Sequence, residues 1–429
     1  MRAALWLLAL FGVAVAVALI AGNNQAVVTV FWPPHRIDVS FNLLMLLLAG
    51  FFMLLYLALK ALAALFALPA EAQRWRAQQK ERAMYGALMD SLAHQLAGRY
   101  IRASKSALNA LAQEKGLVVL TDEFGHATGH SGSRSSQLRS LSHLLVAESA
   151  QSLQNMALRD RHLQLALQSS AQKNAQQVQE GVQFRAARWA LDDQDAGAAL
   201  DWLAQLPQGA ARRTLALRLR LRATRQARQI PQALETARLL AKHRAFSPAA
   251  AQSIVRGLAL ELLSDAHDCA QLLQAWSSLD DSERQMPELV VHAASRLMVL
   301  QGDANLARAW MLPIWERLVQ PRSSISESLR VKLIYVLEAG FDSLDAAWLA
   351  RIETAQMSWP QDANLQYLAG MACRSRELWG KARQLLSSAA VGLQDPGLRQ
   401  KAWLELALLA EQRSDATGAA DAYRQAAQR

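Results

Sequence analysis

The chain has 429 residues, which is long enough for two or three domains or for one extended array of repeats. Its two cysteines, Cys269 and Cys373, exclude a disulfide framework and leave too few thiols for a Cys-based zinc or iron–sulfur site. The formal net charge of +10 favours anionic partners such as lipid head groups, nucleic acid or acidic proteins.

Residues 1–70 carry few charges and are predicted to form a membrane anchor. A helix needs roughly 20 apolar residues to cross a hydrocarbon core about 30 Å thick. The apolar run at about 41–62 meets that length, and the run at about 5–22 comes close to it. Because Arg2 precedes the first run, a cleaved secretory signal is the alternative, but the run is longer than the roughly 7–15 apolar residues of such signals. We therefore predict two retained transmembrane helices.

The segment between the two runs, residues 23–40, has the pattern of a β-hairpin. Apolar residues alternate on both sides of the Pro33-Pro34 turn, at Val28, Val30, Trp32, Ile37, Val39 and Phe41. The amphipathic ring of Trp32 suits the depth of a membrane interface.

Basic residues follow the second apolar run, at Arg74, Arg76, Lys80 and Arg82, whereas the hairpin contains a single arginine, Arg36. Positive charge in short loops marks the cytoplasmic side of a membrane. Both termini are therefore predicted to be cytoplasmic, with the hairpin outside.

Beyond the anchor, Ala, Leu, Gln and Arg dominate and β-branched residues are scarce, which favours helix. Apolar residues recur there at three- and four-residue spacing. We predict a juxtamembrane basic helix and a first helical hairpin over 71–116, a polar flexible loop over 117–137, and tetratricopeptide-like helical repeats over 138–429. The predicted fold class is all-α, with two N-terminal transmembrane helices followed by a tetratricopeptide-like α-solenoid.

The last two repeats show the clearest tetratricopeptide spacing. Small residues let the two helices of a repeat cross closely, and an aromatic residue fills the gap toward the neighbouring repeat. The repeat-defining residues are Gly370, Trp379, Ala382, Ala389, Trp403, Leu406, Ala407, Ala419, Tyr423 and Ala426. A weaker copy is Gly98-Arg99-Tyr100 with Ala103, Ala107 and Ala110. An irregular helical domain that matches this template by chance is the alternative, and most tryptophans are expected in the core between repeats.

These features together resemble the HemY family, proteobacterial inner-membrane proteins associated with haem biosynthesis. The resemblance is carried by the basic segment after the second run, VVTVFWPPHRIDVSFNLL at 27–44, LAGRYIRASKSALNALA at 96–112 and SHLLVAESAQSLQNMALRDRHLQLAL at 142–167. It implies a bacterial inner-membrane location and a scaffold or assembly role in late tetrapyrrole metabolism. The unrelated flavin-dependent protoporphyrinogen oxidase of the same name is not implied, since the sequence has no GxGxxG loop and no βαβ pattern.

A basic stripe on one predicted helix, formed by Arg218, Arg222 and Arg225, is a candidate partner-binding surface. A solvated face, a groove for acidic peptides or carboxylate-bearing ligands, and a nucleic-acid surface are the alternatives. The stripe lacks interleaved aromatic residues and a recognisable binding fold, so no nucleic-acid partner is expected.

Four histidine and cysteine residues are candidates for metal or haem ligands. His267 and Cys269 are weak candidates for axial ligands of haem, although a buried structural cysteine is the commoner case. His126 and His130 have a spacing compatible with metal ligands, but the surrounding glycines favour a loop, and no metal site is predicted. No cofactor is therefore certain, and haem is a possible one.

The sequence contains no Ser/His/Asp set, no paired-carboxylate site and no phosphate loop, so the chain is not expected to be an enzyme. We expect a scaffold that is anchored in the lipid bilayer and binds membrane-associated proteins, in particular haem-pathway enzymes. The alternatives are a haem or porphyrin carrier or sensor, and an assembly factor for other envelope complexes.

Overall fold

The computed structural model describes residues 2–22, 26–123, 129–171, 175–320 and 325–427. Within these ranges the chain is helical apart from turns and one two-stranded hairpin. It divides into two compact units, Met1–Gln179 and Glu180–Arg429. Each unit is described by itself.

The first unit contains the hairpin and five helices among its described residues. Its elements are α1 (Arg2–Gly22), β1 (Val27–Trp32), β2 (His35–Ser40), α2 (Phe41–Leu96), α3 (Tyr100–Glu123), α4 (Gly129–Ser152) and α5 (Met156–Ser170). Strands β1 and β2 pair antiparallel, with Val28 opposite Val39 and Val30 opposite Ile37. The predicted β-hairpin is confirmed.

Helix α2 is a single helix of 56 residues that begins in the predicted membrane segment and continues far beyond it. The Ser40 side chain caps it by accepting a hydrogen bond from the Leu43 N–H. The boundary expected at residue 70 is therefore not a structural break. Pro69 lies inside the helix and, without an N–H, removes one hydrogen bond of the backbone ladder.

One helix among the described residues is long and apolar enough to cross a membrane, over Phe41–Ala63. The prediction of two spans is thus supported for one of them. Helix α1 forms, but its described apolar stretch, Leu8–Leu19, is shorter than a membrane crossing requires.

Helices α2 and α3 pack through small residues, as their sequences predict. Ala103, Ala107 and Ala110 are almost completely buried, and the Ser91 hydroxyl donates to the Ala103 carbonyl at 2.8 Å. Because each alanine has a single methyl group, the two helices approach closely here.

Residues 117–137 were expected to form a flexible loop, but most of them are helical. Residues 117–123 complete α3 and residues 129–137 open α4, while 124–128, which include His126, lie outside the described residues. The Arg139 guanidinium donates at 2.6 Å to the buried Glu114 carboxylate and so ties the two helices together. A buried carboxylate requires such a partner, which Arg139 supplies.

The second unit is a succession of antiparallel helix pairs. Its elements are α6 (Gln176–Asp192, which starts at the end of the first unit), α7 (Ala196–Ala204), α8 (Gln208–Ala211), α9 (Thr214–Gln226), α10 (Ile230–Lys242), α11 (Pro248–Ser264), α12 (Cys269–Ser277), α13 (Asp281–Arg284), α14 (Pro287–Val299), α15 (Ala304–Leu318), α16 (Glu327–Ala339), α17 (Ala346–Ser358), α18 (Ala363–Ser375), α19 (Trp379–Gly392), α20 (Pro396–Glu411) and α21 (Ala416–Ala427). We call α9, α11, α14, α16, α18 and α20 the first helices, and α10, α12, α15, α17, α19 and α21 the second helices.

One tight turn recurs between helices, with a single residue in the left-handed conformation at φ of +52° to +64°. It occurs at Gln154, Gln194, Arg228, Arg244, Gln301, Glu377 and Ser414. The next N–H bonds back to a carbonyl of the preceding helix, as from Leu378 to Cys373 at 2.9 Å, which is the Schellman closure. Gln194 and Arg228 lie 34 residues apart, and Glu377 and Ser414 lie 37 apart, which is the period of helix-pair repeats.

The small repeat-defining residues lie in the core, as the spacing predicts. Gly370, Ala382, Ala389, Leu406, Ala407, Ala419 and Ala426 are buried. The aromatic residues follow the pattern less well. Trp403 is partly buried, but Trp379 and Tyr423 are 41% and 38% exposed, and the Tyr423 hydroxyl donates to the Glu411 carboxylate.

Several tryptophans hold neighbouring second helices together. Trp276 of α12 stacks on Trp310 of α15 at 4.6 Å between ring centroids, and Trp315 of α15 meets Trp348 of α17 edge-on at 5.9 Å. Aromatic pairs at such distances are favourable beyond their buried area. Trp315 and Trp348 are buried in the core, and Trp276 and Trp310 are partly buried against it.

Candidate protein-binding groove

The first helices of three successive pairs, α11, α14 and α16, lie side by side and leave a groove between them. Its volume is about 610 Å³, and it is lined by residues from all three helices. Repeat proteins commonly bind partners along the surface formed by one helix of each repeat. The groove is therefore the candidate functional site.

The floor of the groove is apolar. Leu260, Met298, Leu329 and Val336 line it without being fully exposed, and Val299 at its edge is 67% exposed. An apolar surface open to solvent is the usual centre of a site for a partner side chain or helix.

The rim of the groove is polar and carries both signs of charge. Glu288 accepts a hydrogen bond from Arg256 at 2.9 Å, and Lys332 lies on the opposite helix. Burial lowers the pKa of His292 below its usual value, and the charges of Arg296 and Lys332 lower it further. His292 is consequently neutral near pH 7 and can donate or accept a hydrogen bond.

A second cluster of polar side chains includes Tyr335, which lines the groove, and extends to α20. The Tyr335 hydroxyl donates to Asp395 at 3.0 Å, and the Lys401 Nζ lies 4.8 Å from the Tyr335 ring centroid and 3.1 Å from Glu338. Burial and the bond to Asp395 raise the pKa of Tyr335 to about 12, so the phenol remains a donor. These contacts give each of the four polar side chains a partner within the chain and hold them in place at one end of the groove.

Ion pairs between consecutive first helices recur one repeat apart, and the sequence reading missed them. Arg256 pairs with Glu288 and Arg330 with Asp362, each 32 residues further on, and the Arg374 Nε lies 2.7 Å from the Glu405 carboxylate on the next helix. Burial raises the pKa of Glu405, while Arg374 opposes that shift. An Arg followed by a carboxylate one period later is a pattern that a search at this spacing could have found.

The basic stripe predicted on α9 is only partly available to a partner. The Arg218 guanidinium donates to the Ala245 carbonyl at 2.8 Å and lies over a phenylalanine ring. Arg222 lies 3.1 Å from the Asp192 carboxylate. Arg225, like Arg218 and Arg222, is exposed.

The weak haem-ligand candidates occupy a turn at the start of α12. The Cys269 thiol donates to the Leu300 carbonyl at 3.3 Å, an intrachain contact. His267 is exposed, and its backbone N–H bonds to the Gln271 side chain at 3.0 Å. Among the described residues, no group of three or more His, Cys, Asp or Glu side chains is arranged to hold a metal ion.

Comparison with solved structures gives matches of low overall similarity. The Naa15/Naa10 complex bound to HypK-THB is 12% identical, with 79% of this chain and 57% of that chain covered and a TM-score of 0.25. The TPR domain of P58(IPK) is 12% identical, covering 77% and 99% with a TM-score of 0.22. The APC/C hetero-tetramer Cut9-Hcn1 is 14% identical, covering 80% and 66% with a TM-score of 0.29. The chain thus spans only 57% of the first of these structures.

The helix pairs, their recurring turn and the groove on the first helices define a helical-repeat protein, and the same chain has an N-terminal helix able to cross a membrane. No curated protein sequence matches the chain. Residues 27–122 match the family described as the HemY protein N-terminus. The resemblance is thereby confirmed for this N-terminal region, which matches the HemY family.

Proposed function

We propose that the protein is a membrane-anchored scaffold that binds protein partners acting in haem biosynthesis. The observation that carries this proposal is the open groove on α11, α14 and α16, with its apolar floor and its rim of mixed charge. Such a surface suits an amphipathic helix or an extended segment of a partner, whose apolar side chains enter the floor. The match of its N-terminal region to the HemY family supports haem biosynthesis as the process in which these partners act.

The anchor is the second part of the proposal. Helix α2 would cross the bacterial inner membrane over Phe41–Ala63, and α1 would provide the second span, with both termini in the cytoplasm. Anchoring confines the groove and any partner on the same membrane to a thin layer, which raises their effective concentration. Arg76 and Arg82, which follow the span, support this orientation.

We further propose that the chain does not itself catalyse a reaction. The polar groups next to the groove are engaged with one another, as Tyr335 is with Asp395, in contacts that hold helices together. Haem binding through Cys269 is not favoured, because its thiol already has an intrachain partner.

Site-specific photocrosslinking in cells tests the scaffold proposal. A photoreactive amino acid is placed at Val299, at the edge of the groove, and in a matched variant at Val391 on α19. Both positions are highly exposed, at 67% and 81%, so both variants should fold. Crosslinked proteins are identified by mass spectrometry.

Enzymes of haem synthesis should be captured from position 299 and not from position 391. Equal capture from both positions, or recovery of only unrelated envelope proteins from position 299, would refute the proposed function. Crosslinking of the variant to free porphyrin alone would favour the carrier alternative.

A further inference from the structure

The β-hairpin ahead of α2 has one apolar face. Side chains alternate between the faces of a strand, so the register places the pairs Val28–Val39, Val30–Ile37 and Trp32–His35 on the same side. Trp32 is 73% exposed, Ile37 53% and Val30 44%. Val28 and Val39 are half-buried, so the exposed part of this apolar strip is the half nearest the turn.

The opposite face of the hairpin carries most of its polar side chains. Thr29 pairs with Asp38, and Phe31 pairs with Arg36. Val27 and Phe31 also lie on this face and are 61% and 74% exposed. The Arg36 guanidinium lies 5.6 Å from the Phe31 ring centroid and 3.3 Å from the Asp38 carboxylate, so both formal charges of the two strands are on this face. The hairpin is thus amphipathic across its thickness.

The base of the hairpin is fixed to the start of α2. The Phe41 N–H bonds to the Ala26 carbonyl at 2.9 Å, and Ser40, the last residue of β2, caps the helix. The apolar segment Phe41–Ala63 begins at that same residue. Its 23 residues are about 34 Å long, which is enough to cross a core of about 30 Å, and the hairpin adjoins its first residue. The hairpin is consequently held at the depth where acyl chains meet head groups.

We propose that the hairpin lies on the membrane surface with the face formed by Val28, Val30, Trp32, Ile37 and Val39 inserted at the lipid boundary. An isolated two-stranded hairpin is at best marginally stable in water, so an exposed apolar face requires a partner. Lipid is the partner whose position the attachment to α2 already fixes, and Trp32 near the turn has the ring that favours this interface. The proposal rests on the proposed function only in that α2 spans the bilayer.

Such a hairpin adds a second contact with lipid to that of the spanning helix. The face of the hairpin and the axis of α2 are joined through Ser40, so insertion of the face limits rotation of α2 about its own axis. The anchor would then hold α2 at a defined depth and in a defined rotational orientation.

The test places a fluorescent label at single cysteines in the full-length chain, in which Cys269 and Cys373 are replaced by alanine. The labelled positions are Val30→Cys on the apolar face, Thr29→Cys on the opposite face of the same strand, and Leu54→Cys in the middle of the span. Each variant is reconstituted into phosphatidylcholine–phosphatidylglycerol vesicles. Iodide in the buffer reports exposure to water, and brominated acyl chains report contact with lipid.

The label at Val30 should be quenched several-fold more strongly by brominated lipid than the label at Thr29, with the order reversed for iodide. Equal iodide quenching at both positions would show that the hairpin stands in water and would overturn the proposal. Shielding of Val30 from both quenchers would also overturn it, because protein, such as a second copy of the chain, would then cover the face.

The label at Leu54 separates this proposal from the membrane anchor. If brominated lipid fails to quench Leu54, α2 does not span the bilayer, and the hairpin proposal, which rests on that span, fails together with the anchor. If Leu54 is quenched and Val30 is not, the anchor stands and the hairpin proposal fails.

Discussion

Replacement of Gly370 by alanine tests whether close helix contact organises the repeats. Gly370 is buried on α18 where α19 crosses it. A Cβ atom there would lie 2.8 Å from the Leu386 Cγ and 3.2 Å from the Leu386 backbone nitrogen. Leu386 is completely buried, so its side chain has no free space to rotate into, and the two helices must move apart.

Two opposing effects determine how far Gly370→Ala changes the free energy of local opening. Alanine is favoured over glycine inside a helix by about 0.8–1.0 kcal/mol. Overpacking a filled core costs about 1–3 kcal/mol, and the backbone contact puts this site toward the upper part of that range. The expected result for Gly370→Ala is a net loss of about 1–2 kcal/mol in the free energy of local opening.

Hydrogen–deuterium exchange of the full chain measures this loss in α18 and α19. The matched control is Gly257→Ala in α11, since a Cβ atom at Gly257 meets nothing within 4 Å. This control should be neutral or should gain up to about 1 kcal/mol from helix propensity alone.

A double-mutant cycle isolates the contact. Leu386→Ala by itself should cost about 2–5 kcal/mol, but it also makes room for the methyl group at position 370. The Gly370→Ala change should therefore cost at least about 1 kcal/mol less in the Leu386→Ala background. If Gly370→Ala stabilises the helices as Gly257→Ala does, the close-contact reasoning is refuted.

Three further predictions concern polar contacts. Burial lowers the pKa of His143 from 6.5 to about 4 and also lowers the pKa of His162, whose Nδ1 lies 3.0 Å from that of His143. Between pH 6.5 and 4 the unfolded chain binds a proton at His143 that the folded chain does not bind. The contribution of His143 to the free energy of unfolding is therefore complete above pH 6.5 and is lost on acidification. The loss in the α4–α5 pair should be about 1–2 kcal/mol after solvent screening, measured by hydrogen exchange corrected for its intrinsic pH dependence, and His143→Asn should reduce it. Arg308 is 2% exposed and donates to the Gly340 carbonyl at 2.7 Å, so Arg308→Met should lower stability to urea by about 2–3 kcal/mol. Cys269→Ala should leave the Soret titration of the chain with haem unchanged.

A specific result would contradict each of these three predictions. A His143→Asn variant with the same pH dependence as the unsubstituted chain would place the titrating group elsewhere. Stability of Arg308→Met equal to that of an exposed substitution such as Arg225→Met would mean that the buried hydrogen bond contributes nothing. Loss of a Soret shift in Cys269→Ala would assign the cysteine to haem.

The elements that rest on short-range patterns could be predicted from the sequence. The hairpin follows from strict alternation around Pro33-Pro34, and its strands pair as expected. The small residues at the helix crossings of the last repeats were also predictable, because Gly370 and Ala407 leave room that larger side chains would fill. The membrane segment starting at Phe41 follows from the length of its apolar run.

What could not be predicted depends on contacts between distant residues. The polar segment after residue 117 has the pattern of a loop because hydroxyl-bearing and glycine residues are poor helix formers by themselves, whereas in the structure most of it belongs to α3 and α4. The recurring turns were hidden as well. Their left-handed positions are filled by residues such as Gln194 and Glu377 rather than by glycine, the residue that ordinarily marks such a turn.

The groove was missed for a related reason. Its floor combines side chains from α11, α14 and α16, and no single helix shows the whole surface. Val299 and Lys332 look like ordinary surface residues in the sequence, and only the packing of neighbouring first helices brings them to one site.

The proline within α2 bears on how the protein would respond to bilayers of different thickness. A span of fixed apolar length adjusts to a thinner bilayer by tilting. Pro69 lies six residues beyond Ala63, and the missing hydrogen bond makes it the point where the helix bends at least cost. In the proposed anchor, a bend at Pro69 would let the segment Phe41–Ala63 tilt without moving Met84 and Leu88, which are buried further along α2.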